Sequence, residues 1–145
     1  MAEFPSEGVE VLVLAPGVAS GEVLVLDEPL SFWGGLDPVT GLLIDVHHPQ
    51  AGASLTGRVL VMPSGRGSSS SSYVFAEAIR AGTAPAAVVL AEPDPILALG
   101  SIVASELYDI DVPVVVCPAP SDAIGRRATV EADGSGRASI TFTLS

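Results

Sequence analysis

The residues best suited to do chemistry are five consecutive serines, Ser68 to Ser72, set between Gly65-Arg66-Gly67 and the apolar run "YVFAEAIRAG". A serine hydroxyl can cap a helix, donate to a carboxylate or, once deprotonated, take up a proton. Arg66 adds a fixed planar cation that suits a carboxylate. Gly65 and Gly67 carry no side chains, so an anionic group can approach their amides closely. The plain alternative is a capped helix start whose serines do nothing further. A Walker phosphate loop fits poorly, because its lysine and its wider glycine spacing are both missing.

What surrounds the serines decides between these readings. Serine-rich low complexity usually marks a flexible linker. Here a β-branched strand, "RVLVMP" (58–63), runs directly into the turn, and a helix leaves it over about residues 70–81. On that helix Val74, Ala78 and Ala81 share a face with Phe75 and Ile79 beside them, and Gly82 is a natural stop. A strand-to-helix junction leaves backbone N–H groups unpaired and carries partial positive charge. The serines therefore belong to an ordered scaffold and not to a linker, and on local pattern a site and a plain capped helix start stand level.

The rest of the chain supplies that scaffold. "VEVLVLA" (9–15) and "GEVLVLD" (21–27) are strand-like and joined by a turn at Pro16-Gly17. "APAAVVLAE" (84–92) and "VPVVVCP" are further strands. Between them lies a helix with Asp94 as N-cap and Pro95 at its first position, where Ile96, Leu99, Val103 and Leu107 recur at helical spacing. "ATVEADGSGRASITFTL" closes the chain as a hairpin turning at "DGSG". The order predicts an α/β domain over residues 1–145, with parallel pairing in the middle, antiparallel strands on the flanks, and two main helices. No internal repeat or second domain is visible.

Residues 30–57 break the pattern, with turn chemistry and one short apolar run. Irregular loops beyond about 12–15 residues are uncommon in compact domains and are usually functional or disordered. This one holds the only tryptophan, Trp33, both histidines, His47 and His48, and the carboxylates Asp37 and Asp45, which favours function. Adjacent histidines diverge in direction and have no second His or Cys pair, so one of them, with Asp45, is expected to order the loop or meet a partner. Trp33 is expected to pack in the core or an interface more than to line a pocket. Asp37-Pro38 and Thr40-Gly41 read as a turn.

Composition narrows the class of function. The formal net charge is −11, and all six basic residues are arginines. Such a surface repels phosphate backbones and anionic membranes, which argues against nucleic-acid binding. The apolar runs fall short of the roughly 20 residues of a membrane span, and "MAEFPSEGVE" lacks a basic, then apolar leader. A soluble, cytoplasmic chain is expected. The single cysteine, Cys117, excludes an internal disulfide and a cysteine-only metal site, and its setting in "VPVVVCP" predicts a buried thiol.

In their order, "FWGGLDPVTG", "IDVHHPQAG", "GRVLVMPSGRGSSSSS", "GTAPAAVVLAE" and "ILALG" resemble the small swivelling-domain subunit of the aconitase X group, over roughly residues 9–117. The resemblance implies a swivelling β/β/α domain with mixed sheet layers. It implies a lyase that dehydrates a hydroxy acid, active only with a large aconitase-like subunit. That subunit is expected to hold an iron–sulfur cluster, which this chain has too few cysteines to bind. Carried over residue by residue, the proton-abstracting serine of the superfamily is Ser68, with Arg66, Gly67, Ser69 and Ser70 expected around the substrate. The arginine that follows the serine pair in classical aconitases is replaced by Ser70, and Arg66 precedes the serine instead, so carboxylate recognition does not transfer position for position. Ser71 and Ser72, deeper in the helix, are expected to matter far less.

Two activities go with the group: dehydration of cis-3-hydroxy-L-proline and of mevalonate 5-phosphate. A phosphorylated substrate calls for extra cations, and this chain has few, so the resemblance favours hydroxyproline. Two other classes stand beside a lyase. A swivelling phosphohistidine carrier needs a histidine in the glycine-rich turn, where this chain has serine. A non-catalytic binding module would stay inactive even with a large partner.

Overall fold

The computed structural model describes residues 2–4, 11–117 and 126–143. Val9, Glu10 and Pro118, which belong to predicted strands, lie outside them. The elements run β1 (Ala2–Phe4), β2 (Leu12–Ala15), β3 (Gly17–Val25), α1 (Phe32–Gly35, a single distorted turn), β4 (Val59–Met62), α2 (Ser71–Ala81), β5 (Ala87–Leu90), α3 (Pro95–Tyr108), β6 (Val114–Val116), β7 (Arg127–Ala132) and β8 (Ala138–Thr143). The sheet order is β1-β8-β7-β3-β4-β5-β6-β2. Strands β3 to β6 are mutually parallel in that order, and β2, β7, β8 and β1 add antiparallel.

β3 makes the sheet into two layers. Its residues Gly17 to Glu22 pair with β7, and Val23 to Val25 then pair with β4. Strand alternation sends neighbouring side chains to opposite faces. In β4, Val59 and Val61 therefore join a core with Val89, Val115, Val130, Ile140 and Phe142. Leu60 and Met62 face the other way, into a core with Phe75, Ile79, Leu97 and Ala104 of the helices. Strands buried on both faces have to be apolar throughout, and "VLVM" and "AVVL" are. The result is the expected stack of sheet, sheet and helices.

Most predicted elements are present within a few residues. α2 ends on Gly82, in the left-handed region at φ 78°, and Asp94 caps α3 by accepting from the Ile96 and Leu97 amides, each at 3.1 Å. The hairpin turns on Asp133, whose carboxylate accepts from the Ser135 and Arg137 amides, each at 2.9 Å. Two readings are corrected. The turn expected at Pro16-Gly17 is not formed: Gly17 already opens β3, only Pro16 separates it from β2, and β2 lies beside β6 while β3 lies beside β7 and β4. On α3 the large residues Ile96, Leu99 and Leu107 are exposed, and the buried face is made of Leu97, Ala98, Gly100, Ser101 and Ala104. Small residues are needed there because α2 comes close: a Cβ on Gly100 would lie 2.6 Å from the Ser72 carbonyl oxygen.

No described helix is long and apolar enough to cross a membrane.

Candidate functional site

The serine turn lies where three segments meet. It leaves β4, touches the start of the long loop through a bridge between Leu30 and Gly65, and feeds α2. The Arg66 amide donates to the Leu30 carbonyl at 3.3 Å. On its other side stands Asp94, so close that a Cβ on Gly65 would overlap its Oδ2. Glycine at 65 is thus required by the approach of the α3 cap.

The two helix starts at this place differ. α3 is closed by the Asp94 carboxylate. α2 has Ser70 as N-cap, and no side chain caps it. The serine hydroxyls are used otherwise. Ser68 Oγ accepts from the Ser70 amide at 3.3 Å, and the Ser68 carbonyl accepts from the Ser71 amide at 3.0 Å. Ser72 Oγ donates to the Ser69 carbonyl at 2.9 Å. Ser69 is exposed, while Ser68 and Ser70 are half-buried. The exposed Arg66 guanidinium has no partner among the described residues, which leaves its fork free for a carboxylate. Gly67 has open space where a Cβ would stand.

Ser71 is set apart from its neighbours. It is 5% exposed, and its Oγ accepts from the Trp33 amide at 3.2 Å and lies 3.4 Å from Ser31 Oγ. Position along α2 gave no sign of this, since its partners come from the long loop. Phe32, next to Trp33, packs edge-on against Phe75 at 5.2 Å. Phe32 fills the core; Trp33, expected in the core or at an interface, is not in the core but 57% exposed.

The rest of the long loop is ordered by its own polar residues. His48 is buried; its Nδ1 accepts from the Gln50 amide at 3.0 Å, so Nε2 carries the proton and donates to the Glu28 carbonyl at 3.1 Å. The Gln50 amide group extends β3 like a strand neighbour, bonding the Asp27 amide and the Val25 carbonyl. Asp45 accepts from the His47 amide at 3.0 Å. His48 and Asp45 thus order the loop, while His47 is exposed. Asp37 and Thr40 shape the predicted turn by accepting from the Val39 and Leu42 amides.

No group of three His, Cys, Asp or Glu that could hold a metal occurs among the described residues. Cys117 is buried, and burial pushes its thiol up to about 11, away from the thiolate a metal requires. The residues of this chain do not fit an iron–sulfur cluster.

A two-layered sheet with helices on one side and a glycine–serine turn opening the first long helix defines a swivelling domain of the β/β/α kind. The sequence pattern of the aconitase X swivel domain matches residues 9–141, and the chain belongs to that family. It is 54% identical over 101 residues to a cis-3-hydroxy-L-proline dehydratase of Pseudomonas aeruginosa, covering 70% of this chain but only 17% of that protein. It is 47% identical over 96 residues to the phosphomevalonate dehydratase small subunit of Methanothermobacter thermautotrophicus, covering 66% of this chain and 73% of that one. The crystal structure of Thermococcus kodakaraensis aconitase X in its holo-form matches with a TM-score of 0.82 at 33% identity, over 99% of both chains.

Proposed function

We propose that this chain is the swivelling small component of a hydro-lyase that dehydrates a hydroxy acid, and that it supplies Ser68 as the general base. One observation carries the reading: Ser68 sits half-exposed at a helix start that no side chain caps, its Oγ already receiving the Ser70 amide. In the reaction Ser68 Oγ takes the proton from the carbon beside the substrate carboxylate. The released electron pair forms the C=C bond as the neighbouring C–O bond breaks, and the departing hydroxyl takes one further proton from an acid that the partner brings to the closed site and leaves as water. A serine alkoxide is costly in open water. Amide donors and the positive end of α2 stabilise it, and they act more strongly once a partner closes over the turn. Arg66 holds the substrate carboxylate, assisted by Gly67, Ser69 and Ser70.

The partner is a large aconitase-like chain, which also carries the iron–sulfur cluster. The exposed apolar residues Trp33, Ile44 and Val46 of the long loop support a chain that works covered by another. We favour cis-3-hydroxy-L-proline as substrate, supported by the scarcity of cations in a chain with six arginines and a net charge of −11. Mevalonate 5-phosphate is the second reading, supported by the close match in length to the archaeal small subunit. A cytoplasmic setting accords with both.

Co-expression with a large aconitase-like partner, followed by assay of each acid for loss of water, tests this. Turnover of cis-3-hydroxy-L-proline is expected. Turnover of the phosphate ester alone would reverse the substrate assignment, and turnover of neither acid by an assembled complex would overturn the lyase reading.

A further inference from the structure

We infer that Ser71 is a positioning residue for this site, joining the Trp33 turn and the Ser68 turn into one unit at the start of α2. The inference rests on the proposed dehydratase function for its effect on rate, and on geometry alone for the tie itself. Ser71 bonds in both directions. Its buried Oγ accepts from the Trp33 amide and contacts Ser31 Oγ, while its own amide donates to the Ser68 carbonyl. A shift of either turn is thereby passed to the other. The backbone at Trp33 and Gly34 is non-helical within the turn, with φ 78° at Gly34, so inside α1 only the bond from the Leu36 amide to the Phe32 carbonyl at 3.1 Å closes the turn, and the Trp33 amide is held from outside by Ser71. Phe32 anchors the turn to Phe75, one helical turn beyond Ser71. That contact fixes the distance of α1 from α2, and the Ser71 hydroxyl fixes its orientation. The outcome is an exposed indole held on a rigid support beside the Ser68 turn.

The same Phe32–Phe75 contact is expected to keep Ser71→Ala folded. Trp33 is the only tryptophan in the chain, so its fluorescence reports the tie in the full chain without a partner. Ser71→Ala is expected to shift the emission and raise quenching by acrylamide, whereas Ser68→Ala leaves both at wild-type values. In the enzyme assembled with its partner, Ser71→Ala should lower kcat by up to about 10²-fold with KM little changed, the loss that goes with a misplacement of about 1 Å. Ser71→Thr keeps the oxygen and is expected to restore both readouts. Ser31→Ala, which leaves α2 untouched, should move the fluorescence in the same direction by less, and it serves as the test if Ser71→Ala fails to fold. Unchanged Trp33 fluorescence in these variants would overturn the tie. Altered fluorescence with wild-type kcat would overturn the positioning role. A wild-type complex that dehydrates neither acid would count against the lyase reading, while fluorescence of the chain alone still decides the tie.

Discussion

Ser68 and Cys117 show how the same fold gives two nucleophilic atoms opposite prospects. Ser68 Oγ faces the end of a helix and meets an N–H donor, which favours a negative oxygen. Replacing it by alanine loses one 3.3 Å bond from the Ser70 amide but should leave folding intact, because the Ser68 carbonyl still accepts from the Ser71 amide. With the partner present, kcat should fall by about 10²–10⁴, the range for loss of a general base, and a pre-steady-state comparison with Ser70→Ala would fix which serine acts. Near-normal turnover in Ser68→Ala would remove it from the mechanism. The Cys117 thiol is surrounded by apolar side chains, and burial raises its pKa from an ordinary value near 9.0 to about 11. The neutral thiol is thus the folded form at pH 8, and reaction with an aromatic disulfide reagent should be slow until denaturant is added. The sign for stability follows: the contribution is fully present below pH 9 and is lost as pH rises towards 11, since only the unfolded chain ionises readily in that window. Rapid labelling of the native chain at pH 8 would show that this cysteine is not buried.

At the scale of elements, the long loop is best understood as lacing along α2. Its start is tied at Ser71 and Phe75, and its middle is tied at the far end of the helix, where Thr83 Oγ1 donates to the Pro38 carbonyl at 2.7 Å. Its return is clamped onto the end of β3 by His48 and Gln50. Sequence pattern identifies such a loop as unusual and points to one of the two histidines, with Asp45, as ordering it or meeting a partner, without saying which histidine. It does not reveal Gln50 or Ser71, because each acts through a backbone partner more than twenty residues away in the chain. The same limit explains β2 and β3. Alternation marks both as strands, but which strand lies beside which depends on sheet curvature that no local pattern encodes. On α3 the helical period was legible and the buried face was not, because the close approach of α2 selects small residues over large ones. The clamp gives a direct test. His48→Ala leaves a carbonyl and an amide without their partner inside the protein, at a cost of about 1–3 kcal/mol. Urea unfolding should show that loss, with proteolytic nicking first within residues 30–57. Unaltered stability would mean the loop is held by its apolar residues alone.

The proposed reaction divides its work between this chain and a partner. On one edge of the three-layer stack this chain presents Ser68, the proposed base, the start of α2, and the Arg66 guanidinium, which has no partner among the described residues. The described residues hold no group of three His, Cys, Asp or Glu that could bind a metal, and the sole cysteine lies in the core between the two sheet layers. Its charge of −11 with only six arginines also makes it a poor host for an anionic substrate unless another chain contributes positive potential. The chain spans 17% of the length of one dehydratase it matches and 73% of a small subunit. Expressed by itself, the chain is therefore expected to remain colourless after anaerobic treatment with iron and sulfide, and inactive on both hydroxy acids. Addition of a large aconitase-like chain should bring visible absorption and dehydratase activity together, with the absorption unaffected by Ser68→Ala and the activity lost. Those two responses would separate the proposed roles, with colour following a cluster on the partner and turnover needing the serine of this chain. Dehydration by the isolated chain would defeat the division of labour, and loss of colour in Ser68→Ala would tie the serine turn to assembly instead of proton transfer.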